Sequence, residues 1–153
     1  MTRGSSASTD DARELTARHA SLADAAAFAH GFCTRHRIER SLELKLTLVL
    51  EELITNTVEH GFGIESDAPI RVALQASDAG LSLLYEDTAP RFDPLAHDAG
   101  TPAGVDDPFE ARPLGGLGIH LVGRLVRDAR YAYEDGRNRL WLTLRSGADS
   151  SAA

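Results

Sequence analysis

The chain has 153 residues, 42% hydrophobic and 25% charged, a balance that suits one globular domain around a single core. A formal charge of -7 excludes the nucleic-acid backbone as the main partner, which needs a surplus of basic groups, though not a local basic patch. With Cys33 alone, an intramolecular disulfide and a cysteine-rich zinc site are excluded; no apolar run nears the ~20 residues that span a bilayer.

Residues 1–6 lead into no apolar signal segment, so the expected location is the cytoplasm. The small, polar stretches 1–10 and 146–153 read as disordered tails on a domain over 11–145. Residues 14–18 read as a short opening strand. Ser21, with Asp24 three residues on, reads as a capped helix start, and the alanine-rich run behind it predicts a helix to about His36. A second helix starts at Ser41, with Leu42, Leu46, Val49 and Leu53 at helical spacing. It is expected to run to His60 and stop at Gly61. Residues 70–75 and 81–85 read as strands joined near Asp78-Ala79-Gly80. Residues 87–113 hold five of the six prolines and little periodicity, and so long a connection is functional or mobile as a rule. A third helix is expected over 119–127, then a hairpin of 130–134 and 139–144 around Asp135-Gly136. The expected class is α/β: a two-layer sandwich, a mixed sheet with about three helices on one face.

The second helix is apolar almost all round, which predicts burial, yet Glu52, Asn56 and His60 stand along one side at i, i+4 and i+8. Three readings stay open for that stripe. It is the solvated face of an amphipathic helix; or Glu52 and His60 ligate a metal, for which asparagine is a poor third partner to zinc; or Asn56 offers its carbonyl oxygen to Mg²⁺ with Glu52 a turn away as proton acceptor. The helix alone does not choose among them.

Arg112-Pro113-Leu114-Gly115-Gly116-Leu117-Gly118-Ile119-His120 is the most specific segment. Glycines at the start of a helix let backbone N–H groups approach an anion, and the helix dipole favours phosphate there. An ordinary tight turn accounts for such a run equally well when it stands alone. Of the sixteen basic residues only Lys45 is a lysine, and it stands in neither a P-loop nor the strand setting of a eukaryotic-type kinase, so ATP would have to be handled by another architecture.

Three segments together resemble a known superfamily. Glu51-Glu52-Leu53-Ile54-Thr55-Asn56-Thr57-Val58-Glu59-His60-Gly61 is similar to the N-box of the gyrase, heat-shock chaperone and histidine-kinase ATP-binding proteins. Asp87-Thr88-Ala89-Pro90-Arg91-Phe92-Asp93-Pro94 is similar to their first glycine box, and residues 115–122 to the second. The Phe92-Asp93-Pro94 ending and the Gly-Gly-Leu-Gly-Ile-His-Leu-Val run resemble, more narrowly, the bacterial anti-sigma-factor serine kinases. The resemblance covers residues 13–145 and implies a Bergerat-type histidine-kinase-like ATP-binding domain.

Carried over residue by residue, it implies Glu52 as general base, Asn56 as the Mg²⁺ ligand and Asp87 as acceptor for the adenine amino group. By the same resemblance Gly115, Gly116 and Gly118 match the phosphate-binding turn, and Thr55 and Arg112 are implied as further nucleotide contacts. ATP and Mg²⁺ are the implied cofactors. A sigma factor and a STAS-type anti-sigma-factor antagonist are the implied partners of a homodimer, with no direct nucleic acid and no membrane. The chain departs from the pattern at Ala89, where the first glycine box has glycine, and Pro90 presses Ala89 toward extended geometry. The added methyl is expected to crowd the adenine pocket. Two further readings remain: a nucleotide-binding partner-switching module without kinase activity, and a detached histidine-kinase catalytic domain, which would need a phosphoacceptor helix pair the chain lacks. His60 and His120 read as packing or supporting residues, and Trp141 and Leu142 as sheet packing.

Overall fold

The computed structural model describes residues 9–78, 80–95 and 124–146. In chain order these form β1 (Thr9–Thr16), α1 (Ser21–Arg35), α2 (Arg40–Asn56), a π-helical segment (Thr57–Phe62), β2 (Pro69–Ser77), β3 (Gly80–Asp87), β4 (Val126–Glu134) and β5 (Arg137–Leu144). The opening strand thus starts earlier than its sequence pattern predicts, and Thr9 pairs with Ala76.

The sheet order is β1-β2-β3-β5-β4, and every neighbouring pair is antiparallel, so the expectation of a mixed sheet is corrected. The reason lies in the connections. One helix between two strands returns the chain to give a parallel neighbour; here two helices, α1 and α2, separate β1 from β2, so the chain re-enters reversed. The long 88–125 connection carries β4 in the same direction as β3, but β5 lies between them and pairs with both.

Alternate strand residues face the helices. Ile70, Val72 and Leu74 of β2, Leu81, Leu83 and Tyr85 of β3, and Leu140, Leu142 and Leu144 of β5 are buried. They pack against Ala25, Ala29 and Phe32 of α1 and Leu46, Val49, Leu50 and Leu53 of α2 in one cluster. Each large side chain removed from water there contributes about 1.5–3 kcal/mol. Leu142 packs as the sequence suggests. Its neighbour Trp141 belongs to the opposite face, where the Arg130 guanidinium lies 3.8 Å from the indole centroid. On that face too, Arg139 Nε is 2.8 Å from Glu86 Oε2.

Four expectations about the helices change. Ser21 opens α1 but caps nothing with its side chain; its Oγ lies 3.3 Å from Thr16 Oγ1 across the turn from β1. The second helix is not buried all round, because Leu44 and Leu48, one turn apart, are 50% and 44% exposed. That helix does not stop at Gly61 but widens into the π segment and ends at Gly63 with φ 76°. Val126 and Arg127 belong to β4 rather than to a third helix, with a register shift at Arg127, because Val126 pairs with Leu144 and enters the core. Residues 119–123 lie outside the described residues, Arg124 and Leu125 are helical as expected, and α1 and α2 are the long α-helices among the described residues. No described helix is long and apolar enough to cross a membrane.

Candidate functional site

The switch from α- to π-helix at Thr57 aims a polar side chain inward. Thr57 is buried, and its Oγ1 lies 3.0 Å from the Leu53 carbonyl, 2.7 Å from the Tyr85 hydroxyl and 2.7 Å from Asp87 Oδ2. A carboxylate only accepts, so Thr57 donates to Asp87. The Tyr85 phenol is pushed well above its ordinary pKa, by burial first and then by the Asp87 charge, so it stays protonated. Its one hydrogen goes to Thr57 Oγ1 or to the Leu53 carbonyl 3.1 Å away.

Asp87 ends β3, buried at 8% exposure. Its second oxygen, Oδ1, accepts the Ala89 backbone N–H at 3.1 Å and the Asn138 side-chain amide at 2.9 Å. Among the described residues three donors thus occupy a group with about four acceptor sites, and one remains. Asn138, near the start of β5, shares its two amide hydrogens among Asp87 Oδ1 and the carbonyls of Ala89 (3.0 Å) and Pro90 (3.2 Å). Its Oδ1 accepts the Phe92 N–H at 3.0 Å and the Tyr131 hydroxyl.

These groups border a cleft of about 510 Å³, open mouth included, between the end of α2 and the strands. Leu53, Tyr85, Tyr131 and Leu140 give it apolar walls, Asn56, Thr57 and Asp87 its polar points, and Ala89, Pro90, Phe92 and Pro94 one rim. Such a mostly apolar recess with a few fixed polar groups suits a flat heterocycle.

Asn56 is the unusual residue in this wall. Both polar atoms of its side chain are buried, and neither has a hydrogen-bond partner among the described residues. A buried amide left so costs about 1–3 kcal/mol, which a ligand at the cleft would offset. Its carbonyl oxygen is the hard donor that Mg²⁺ takes, so the residue present fits the implied ion. The solvated-face reading of the stripe therefore fails at Asn56. No group of three histidine, cysteine or acidic side chains able to hold a metal occurs among the described residues, so nothing there supports a site built on Glu52 and His60.

Glu52 stands one turn before Asn56 on α2, half-buried and outside the cleft wall. Burial first, then the charges of Glu59 and Glu51, raise its pKa above the ordinary carboxyl value and make it a better proton acceptor. Thr55 is half-buried and does not line the cleft. His60 is exposed at the rim. Arg112, Gly115, Gly116, Gly118 and His120 lie outside the described residues.

Ala89 lines the cleft, but its methyl is not simply added to the pocket. A Cβ built on Gly61 would stand 2.8 Å from the Ala89 Cβ, so the missing side chain of Gly61 makes the room that Ala89 takes. Gly61 is glycine for close approach, not for chain termination.

Sequence reasoning placed Asn56 and Asp87 on the cleft and missed Thr57, Tyr85, Tyr131 and Asn138. Asn138 lies 51 residues from Asp87 in a hairpin with no motif, so no local signal marks it. Thr57 and Tyr85 carried a weak one, a hydroxyl inside an otherwise apolar run.

Residues 15–144 match the histidine kinase-like ATPase domain family. The chain is 29% identical to serine/threonine-protein kinase BtrW of Bordetella bronchiseptica over 140 residues, 92% of this chain and 96% of that protein. It is 31% identical to the serine-protein kinases RsbW of Listeria innocua and Listeria monocytogenes over 93 residues, 60% of this chain and 59% of each relative.

Proposed function

The chain belongs to the histidine kinase-like ATPase domain family, and from that premise we propose that it is an ATP- and Mg²⁺-dependent protein serine kinase of the anti-sigma-factor type. Its substrate is a serine of a STAS-type anti-sigma-factor antagonist, and partner exchange traps or frees a sigma factor and so regulates transcription. It works in the cytoplasm as a homodimer. The observation that carries this reading is the buried amide of Asn56, without a partner among the described residues, one turn from a carboxyl of raised pKa and lining the same cleft as buried Asp87.

Roles follow from the chemistry of each group. The open acceptor site of Asp87 takes the 6-amino group of adenine, whereas the 6-oxo group of guanine would meet it acceptor to acceptor. The Asn56 Oδ1 holds Mg²⁺, which neutralises phosphate charge when bound. Gly115, Gly116 and Gly118 offer backbone N–H groups to the phosphates, with Arg112 and Thr55 as further contacts. Glu52 takes the proton of the serine hydroxyl as its oxygen bonds to the γ-phosphorus. The bond to the β–γ bridging oxygen breaks, and ADP leaves with that electron pair.

Incubation of a STAS-type antagonist protein from the same genome with the protein and Mg-ATP, read by phosphosite mass spectrometry, tests the reading. Phosphoserine is expected, and Glu52→Ala is expected to lower its rate by about 100-fold or more. A partner that binds under nucleotide control yet gains no phosphate would instead support a nucleotide-gated switching module.

A further inference from the structure

The hydrogen bonds of Asn138 reach further than the stability of a hairpin. Its amide orientation is not a matter of choice: Asp87 Oδ1 can only accept, so the NH₂ end faces it, and the Phe92 N–H can only donate, so the oxygen end faces that. In this one orientation a single side chain on β5 holds the end of β3 and the whole turn after it, through Asp87, Ala89, Pro90 and Phe92. Tyr131 of β4 in turn holds Asn138.

A carboxylate on a free rotor would turn either oxygen to the cleft and spread its acceptor sites over many directions. Asp87 is pinned on both sides: Thr57 at 2.7 Å on Oδ2, and Asn138 at 2.9 Å with the Ala89 N–H at 3.1 Å on Oδ1. With Oδ1 carrying two donors and Oδ2 one, the remaining acceptor site belongs to Oδ2 and keeps one direction. The Ala89 N–H is local and follows the turn wherever it goes, so Asn138 is the long-range anchor of Oδ1.

We propose that Asn138 is a positioning residue for nucleobase recognition: by holding Oδ1 of Asp87 and the 89–92 turn, it aims the free acceptor site of Asp87 at a 6-amino purine. The inference rests on the reading of the cleft as an adenine nucleotide site. It makes β5, which carries none of the motif residues, a contributor to base specificity through Asp87 of β3.

A thermodynamic cycle separates positioning from support of the fold. The probes are ATP and purine riboside 5′-triphosphate, which lacks the 6-amino group, titrated in Mg²⁺ against the native protein, Asn138→Ala and the isosteric Asn138→Asp. The native protein should prefer ATP. Asn138→Ala should lose about tenfold or more in ATP affinity and about nothing for the analogue, so that the preference collapses. In Asn138→Asp the introduced carboxyl faces Asp87, and only a shared proton restores the donor. Its ATP affinity should therefore recover as pH falls, in a window where the native protein changes little.

Equal losses for both nucleotides, or an unchanged preference for ATP, would overturn the role. Failure of the native protein to bind either nucleotide would overturn the adenine-site reading along with it. Should Asn138→Ala not fold, judged by circular dichroism, the pH response of Asn138→Asp carries the test.

Discussion

Gly61 and Ala89 share a space that holds one side chain. Gly61→Ala would bring two Cβ atoms to 2.8 Å, a separation that forces the turn after Asp87 to move. Overpacking of this kind costs about 1–3 kcal/mol, and here it also shifts a residue that lines the cleft. Gly61→Ala should lower both Tm and ATP affinity, and adding Ala89→Gly should restore much of each, a coupling that independent sites would lack. A single variant as stable as the native protein would remove the pairing from the account. Glu52 carries a second prediction at this scale. Its carboxyl is held above the ordinary value by burial and by Glu59 and Glu51, so the charged form is disfavoured in the fold. Stability is then full below the unfolded carboxyl value and declines as pH rises through the raised one. Glu52→Gln should raise Tm at neutral pH, with the gain vanishing under acid, while phosphotransfer falls by about 100-fold or more. Denaturation curves at the two pH values, beside a kinase assay, check both halves. Asn56 and Asp87 were legible because a motif names them. Asn138 was not, since its meaning comes only from strand pairing that sets it opposite Asp87.

Among the elements, α1, β2, β3 and the closing hairpin follow from local pattern: a run of alanines, period-two alternation, and an Asp135-Gly136 turn with φ 56° and 75°. The π segment does not. A glycine after twenty helical-looking residues reads as an end, whereas the chain widens there because Thr57 is drawn onto Tyr85 and Asp87, a tertiary demand no window of sequence contains. Its far end is tied from outside. His19, in the turn between β1 and α1, has Nε2 3.1 Å from Glu59 of the π segment, and Nδ1 3.0 Å from Glu65 beyond it. The bonds to Glu59 and then to Glu65 raise the His19 pKa above the ordinary imidazole value. The support it gives is complete below that ordinary value and is lost as pH rises through the raised one. The group is exposed, so the effect is small. The Tm of the native protein should exceed that of His19→Ala under mild acid, and the two should converge under mild alkali. Amide exchange in the 59–66 segment should quicken in step. A gap that held constant with pH would mean that His19 acts by packing.

At the scale of the molecule, the sandwich and its single core follow from composition and periodicity, while the sheet's direction does not, because it depends on which strands become neighbours, here β1 with β2 and β3 with β5. Register matters to the cleft in the same way. Its walls come from residues 53–61, 85–94 and 131–140, three segments that meet only when α2, β3, β4 and β5 have all assembled. The unfolded chain therefore has no partial site to offer, and nucleotide bound there stabilises the native state alone. Mass action sets the size: at a ligand concentration of 100 times Kd the gain is about 2.7 kcal/mol. For a chain of this length each kcal/mol moves Tm by about 2–4 °C, so saturation with Mg-ATP should raise Tm by about 5–11 °C. Mg-GTP at the same concentration should do much less, because its 6-oxo group opposes the acceptor site of Asp87. Unfolding should remain a single transition, since the cleft spans both layers and cannot melt apart from either. A thermal titration with the two nucleotides checks this. An equal shift for both would assign the stabilisation to the phosphates alone, and an ATP-dependent second transition would mean that the cleft and the rest of the core unfold separately.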